Sequence, residues 1–222
     1  IVVGDGARTP VGRFRGALAW GPARLSGAAA ARAALSRSGV RPEDIDEVVM
    51  GCIGQVGADA YNARLVALAA GLPDRTPALT VNRLCGSGLQ SIWSAAQQIA
   101  WGSAETVLAG GDESMSRMPF LDFEARGNSR LGNRTLIDGP LGILPDPLSH
   151  KHRGAPAGRV AQRQNAPREQ QDEFAAESQR RAGTDAAKAA FAEEITPVQT
   201  IGRNPVTVDT DEHPRPGTTV EE

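Results

Sequence analysis

Four short aliphatic runs, "IVVGDG", "DEVVMG", "ALTV" and "TVLAGG", alternate with three longer stretches of helical character between Ile1 and Ser116. This alternation constrains the fold more than any other feature. Parallel strands cannot be joined by a tight hairpin and need a crossover, usually a helix. Strand–helix–strand order therefore predicts an α/β layer, a mixed but mostly parallel sheet with helices on both faces. The punctuation agrees. Pro22 introduces "ARLSGAAAARAALSRSG", which Gly39 ends, and "ADAYNARLVALAAG" runs out at Gly71 and Pro73. Residues 85 to 101 carry apolar or small side chains at 89, 92, 93, 96, 99 and 100, the spacing of one helical face. "IVVGDG" reads as a short buried strand cut off by glycines.

After Ser116 the texture changes. Residues 117 to 160 are rich in Arg, Gly, Pro and Asn and show little periodicity. "NAPREQQDEFAAESQRRAG" then predicts a helix with Asn165 as its N-cap, Pro167 in its first turn, acids early and arginines late. "TDAAKAAFAEE" predicts a second helix and "PVTVDTD" a strand. We place one domain at 1–116 and a second, α-rich and incomplete, at 117–222. The chain opens inside a strand-like run without Met and stops at "GTTVEE", so it reads as part of a longer polypeptide.

Composition excludes several classes. The formal net charge of −2 is spread without a long run of one sign, which argues against nucleic acid or a membrane surface as partner. No apolar run approaches the roughly 18–20 residues that span a bilayer, and no basic-then-apolar leader opens the chain. Cys52 and Cys85, the only cysteines, form no C-x-x-C pair and provide neither a disulfide framework nor a metal site. A reducing, cytoplasmic setting fits them.

"VNRLCGSGLQSIW" sets Cys85 between a strand and a helix. Backbone N–H groups and the positive end of the helix dipole favour negative charge there. Gly86, Ser87 and Gly88 leave the sulfur sterically open. Two glycines at a helix start cost roughly 1 kcal/mol each relative to alanine, which points to a need for space or close backbone approach. A lone cysteine at such a junction is nonetheless more often a small buried hydrophobe, so residue chemistry leaves packing and nucleophilic attack both open. Cys52, just ahead of Gly54, reads as packing, and Glu113 as a buried hydrogen-bonding anchor.

"VNRLCGSGLQSIWSAAQQI" resembles the acyl-enzyme signature of the thiolase family, with Asn82, Cys85, Gly86, Ser87 and Gly88 in the family's places. "ARTPVGRFRG" is similar to the family's first loop, "NARLVALAAGLP" to its second helix and "AGGDESMSRMP" to the strand and turn after the cysteine helix. "FAEEITPV" and "VDTDEHPRPGTT" resemble its loop domain. The likeness runs nearly end to end and covers the N-terminal half of a thiolase, with Asp112 standing where the family often has an apolar residue.

The resemblance implies a thiolase-fold N-terminal half followed by an incomplete, CoA-binding loop domain. It implies an acyl-CoA:acetyl-CoA C-acyltransferase that forms or cleaves 3-ketoacyl-CoA through an acyl-enzyme on Cys85. The substrate is a coenzyme A thioester, with no tightly bound cofactor and no metal. In the family a histidine, a second cysteine and an asparagine from "NEAF", "GHP" and "CxG" motifs complete the machinery; this sequence contains none of them, so the chain alone is expected to be inactive. "HRGAPAGRVA" aligns with the segment that lines the pantetheine and acyl channel, which assigns CoA contacts to His152 and Leu144, although Arg153, Pro156 and Gly158 depart from the pattern. Arg126, Arg130 and Arg134 read as a solvated loop rather than as phosphate ligands. Subunits are expected to pair as a homodimer or homotetramer. The alternative is a non-catalytic thiolase-like module that binds CoA or a partner chain. A ketosynthase-type condensing enzyme fits "NRLCGSG" and "DEHPRPGTT" less well, and no G-x-S-x-G or G-x-C-x-G elbow supports an α/β-hydrolase.

Overall fold

Pro22, in extended conformation, hands over to α1 (Ala23–Ser38), and Gly39 closes that helix at φ 70°, in the left-handed region glycine favours. In this computed structural model, residues 1–127, 131–152 and 154–221 are described; the sequence features at Arg130 and Arg153 lie outside the described residues. β1 (Glu47–Gly51) follows α1, and a 3₁₀ turn over Gly57–Tyr61 leads into α2 (Asn62–Ala70). β2 (Ala78–Val81), α3 (Ser87–Trp101) and β3 (Val107–Gly111) complete the predicted alternation. The three strands form one sheet in the order β2-β1-β3, parallel throughout, with Val48 in register with Ala78 on one side and Leu108 on the other.

The period-2 alternation of β1 assigns the faces. Val48 and Met50 join Ala28, Ala31 and Leu35 of α1 and Ala63, Val66, Ala67 and Ala70 of α2 in one core. Val48 and Val66 are fully buried, each worth roughly 1.5–3 kcal/mol relative to exposure. Val49 and Gly51 turn the other way, toward α3. The helix meets them with Ser87, Ser91 and Ala95, its buried residues.

This corrects the expected orientation of α3. The apolar residues Leu89, Ile92 and Trp93 are 74%, 46% and 63% exposed. The reason lies in the sheet. An added Cβ at Gly51 would stand 2.4 Å from the Ser87 carbonyl carbon, and one at Gly111 would stand 3.4 Å from the Gly88 Cα. A helix that rides this close to glycine strand ends can put only small side chains underneath.

"IVVGDG" is a second correction, being neither a strand nor buried: Ile1, Val2 and Val3 are 71%, 90% and 86% exposed. A strand needs a hydrogen-bonding neighbour about 4.8 Å away. Here an apolar cleft of about 460 Å³ separates these residues from β3 and is lined also by α1 and α3. Among the described residues β3 pairs with β1 alone.

Two compact units divide the chain, Ile1–Arg117 with Glu193–Glu212, and Met118–Ala192 with His213–Glu222. In the first, the later segment is stitched to the loop after Ala7. The Arg8 guanidinium holds Asp211 bidentately at 2.7 and 2.9 Å, and Val11 N–H donates to Asp211 Oδ1. Glu212 accepts from the N–H groups of Arg13 and Ala17. An added Cβ at Gly16 would fall 2.2 Å from Glu212 Oε2, so only glycine lets the carboxylate in.

The second unit opens with an antiparallel pair, β4 (Phe120–Leu121) and β5 (Ile137–Asp138), and then α4 (Gly139–Ile143). α5 (Gly154–Arg163) lies where the sequence showed little periodicity, and α6 (Arg168–Ala182) and α7 (Asp185–Glu194) follow. None of α5, α6 or α7 buries a described side chain. α6 is supported locally by Arg168–Asp172 and by Glu177 with Arg180 and Arg181. Its N-cap is Pro167, not Asn165, which sits at φ 52° in the preceding turn. The predicted strand in "PVTVDTD" belongs to the first unit and is a two-residue element: β6 (Val198–Gln199) pairs with β7 (Thr207–Val208).

Candidate active site

β2 ends at Val81, and five residues, 82–86, must reverse the chain before α3 can begin. Asn82 starts the reversal by accepting the Leu84 N–H on its side-chain oxygen at 3.0 Å. Leu84 takes φ 50°, a left-handed conformation that costs a branched residue of order 1 kcal/mol or more. Gly86 and Ser87 N–H groups then bond the carbonyls of Arg83 and Leu84. Ser87 clamps the turn with its hydroxyl, which accepts from Arg83 N–H at 2.8 Å and donates to the Leu84 carbonyl at 2.6 Å. Cys85 rides at the tip of this turn, immediately before the N-cap Gly86, and it is exposed.

The sequence placed Cys85 at the first position of the helix. It stands two residues ahead of the helix, on the bend. The Ser87 clamp escaped the sequence reading, although a serine two residues after a turn cysteine is a visible cue. So did the Asn82 turn, for which an asparagine two residues ahead of a left-handed position is the signal.

Cys52 has the opposite environment. It is 2% exposed. Burial, reinforced by the charges of Glu113 and Asp112, pushes its thiol up to about 12. Glu113 is the hydrogen-bonding anchor the sequence suggested, accepting the N–H groups of Ile53 at 2.8 Å and Gly54 at 3.3 Å, but it is exposed rather than buried.

Next to it, Asp112 accepts Asn62 Nδ2–H at 2.5 Å, and burial pushes its carboxyl up to about 7. Asp112 and Asn62 are the polar pair that residue reading missed. The signal was the charged residue in place of an apolar one after two glycines.

In the second unit the structure brings Leu144 and His152 to the two ends of one loop. Pro145 and His152 form an antiparallel bridge, and Asp146 N–H donates to the Lys151 carbonyl at 2.9 Å. Leu144 is half-buried at the end of α4. His152 is exposed, and its Nδ1 accepts the Gly154 N–H at 3.3 Å as α5 begins. The remaining ring nitrogen, Nε2, is thereby left to donate outward. Among the described residues no group of three or more His, Cys, Asp or Glu is placed to hold a metal ion, and no helix is long and apolar enough to cross a membrane.

Comparison with known proteins places these features. The family model described as "Thiolase, N-terminal domain" matches residues 1–222. The chain is 45% identical to the beta-ketothiolase BktB of Cupriavidus necator over 225 residues, covering 100% of this chain and 57% of that protein. It is 41% identical to an acetyl-CoA acetyltransferase of Pseudomonas aeruginosa, with the same coverage of 100% and 57%. Among solved structures, the acetyl-CoA acetyltransferase of Bacillus anthracis superposes with a TM-score of 0.94 at 36% identity, over 99% of this chain and 56% of that one. Human mitochondrial 3-ketoacyl-CoA thiolase does so with a TM-score of 0.89 at 39% identity, over 98% and 56%. The chain thus spans just over half the length of these relatives.

Proposed function

The chain belongs to the thiolase family, and we propose that Cys85 is the nucleophile that carries an acyl group between coenzyme A thioesters. The observation that carries this reading is the exposed sulfur at the tip of a clamped turn at the head of α3. The Cys85 sulfur attacks the thioester carbonyl carbon, the new S–C bond forms, and the bond to the CoA sulfur breaks. CoA leaves as a thiolate that takes up the proton Cys85 gave away. Exchange of one thioester for another is close to balanced in energy, and the enzyme-bound acyl group is then open to attack by the α-carbon of acetyl-CoA. That second step, and its reversal in cleavage, needs a base for the α-proton; the family resemblance assigns it to motifs absent from this sequence.

The remaining assignments follow the same premise. We assign residues 1–116 to the core domain and 117–222 to the CoA-binding loop domain, of which Glu193–Glu212 belong to the first compact unit. Leu144 and His152 contact the CoA chain, with His152 Nε2–H offered to a carbonyl or to the acyl group. A homodimer or homotetramer fits the family, and the exposed Leu89, Ile92 and Trp93 on α3 are the kind of apolar stripe an interface covers. Two free cysteines fit a cytoplasmic, reducing setting.

Alkylation under native conditions tests the nucleophile. Iodoacetamide is expected to modify Cys85 and spare Cys52, and an acyl-CoA present during labelling is expected to slow the reaction. Equal labelling of both cysteines with no protection would defeat the proposal. Unchanged acyl-CoA binding in Cys85→Ala, without acylation of the unsubstituted chain, would favour a binding module instead.

A further inference from the structure

The turn after β3 contains half of a polar pair, half-buried Asp112 with buried Asn62, that the acyl-transfer chemistry does not use. Asp112 leaves the sheet just past Gly111, with its N–H donating to the Gly51 carbonyl at 3.0 Å. Its carboxyl group reaches Asn62, the first residue of α2, whose Nδ2–H it accepts on Oδ1 at 2.5 Å. Room for the carboxyl comes from α1: an added Cβ at Gly27 would fall 2.2 Å from Asp112 Oδ2. Among the described residues two buried oxygens are left without a partner, Asp112 Oδ2 and Asn62 Oδ1. Both are acceptors as long as Asp112 is ionised, so neither can satisfy the other. One proton on Oδ2 makes it a donor, and its natural acceptor is the amide oxygen of the side chain already bound to Oδ1.

We propose that Asp112 is held as a neutral carboxylic acid and closes a two-bond ring with Asn62, Nδ2–H to Oδ1 and Oδ2–H to Oδ1 of the amide, fastening the start of α2 to the exit of β3. Its surroundings favour the proton. Glu113 in the same turn and Asp59 in the 3₁₀ turn before α2 are acidic, the Cys52 thiol at the exit of β1 is held neutral, and Arg24 of α1 is engaged by Asp59 at 3.4 Å. Burial is the largest influence on the group. Asp112 would be a positioning residue: Gly51 and Gly111, which it ties together, are the backbone on which the first turn of α3 rests.

The test is the pH dependence of urea unfolding of this chain, with Asp112→Asn as the isosteric neutral variant. A folded-state pKa raised above the unfolded one adds stability that is complete below the unfolded value, about 3.8, and is lost as pH rises through about 7. Between pH 5 and pH 7 the unfolding constant of the natural sequence should therefore rise on the order of fiftyfold. In Asp112→Asn that rise should vanish. The other resolved carboxylate shifts, at Asp44, Asp46, Asp122, Glu177 and Glu221, are downward and act below this window. A second measurement covers a variant that fails to fold: the infrared carbonyl stretch of a protonated carboxyl group in the natural sequence at about pH 6, fading above about pH 8. Absence of that band at pH 6, or an equal pH slope in the foldable variant, would overturn the proposal. Both readouts concern the proton on Asp112 and are independent of whether Cys85 takes an acyl group.

Discussion

The two cysteines show how one residue type can be held in opposite surroundings. Cys52 lies under the sheet end with its thiol pushed up to about 12, a small buried side chain with little thiolate at any physiological pH. Cys85 projects from a bend that Ser87 and Asn82 hold shut. Gly51 is the residue beneath that bend on which the placement depends. Gly51→Ala would drive a methyl group to within 2.4 Å of the Ser87 carbonyl carbon and 2.8 Å of Gly88 N, both backbone atoms that cannot swing aside. We expect a loss of roughly 1–3 kcal/mol of stability and slower alkylation of Cys85, read by urea unfolding and peptide mass mapping. Unchanged values in both would show that the head of α3 does not rest on β1. From the sequence, the G-S-G run after Cys85 announced an open sulfur, but the glycines that matter most lie in other strands. Their relevance depends on register, which only pairing reveals.

At the level of elements, alternation of runs was enough to read three strands, three helices and a parallel sheet, because each crossover leaves little choice of direction. The facing of α3 was not legible. Hydrophobic periodicity finds a helix and assumes its apolar side lies inward, whereas here Ser87, Ser91 and Ala95 face the sheet. Ala95→Leu should accordingly cost about 1–3 kcal/mol by overfilling the helix–sheet contact. Trp93→Gln, at a 63% exposed site, should stay within about 0.5 kcal/mol in the isolated chain. Denaturant midpoints of the two variants decide the facing, and the reverse ranking would restore the orientation expected from periodicity. "IVVGDG" failed as a strand for a related reason: aliphatic residues propose a strand, but a hydrogen-bonded neighbour makes one. α5 was missed because "GAPAGRVAQR" carries two glycines and a proline, residues that lower helix propensity wherever they occur.

On the scale of the whole molecule, residues far apart in sequence complete the first unit. Arg8 and Asp211 meet as a two-pronged pair, part-buried at 29% and 14% side-chain exposure. Asp211→Asn keeps the shape but removes the charge from the pair and should cost on the order of 2 kcal/mol, read as a lower urea midpoint; an unchanged midpoint would mean the segment Glu193–Glu212 is not needed for the unit's stability. This link was visible only as two separate likenesses, "ARTPVGRFRG" and "VDTDEHPRPGTT", and nothing in either run says that they touch.

The central claim is that the sulfur of Cys85 accepts an acyl group from CoA. Its most direct test is to incubate the polypeptide carrying this chain with acetyl-CoA and map acetylation by mass spectrometry. A hydroxylamine-sensitive acetyl thioester is expected on the peptide containing Cys85, none on Cys52, and none in Cys85→Ala. Acetylation absent from Cys85, or equal on both cysteines, would contradict it.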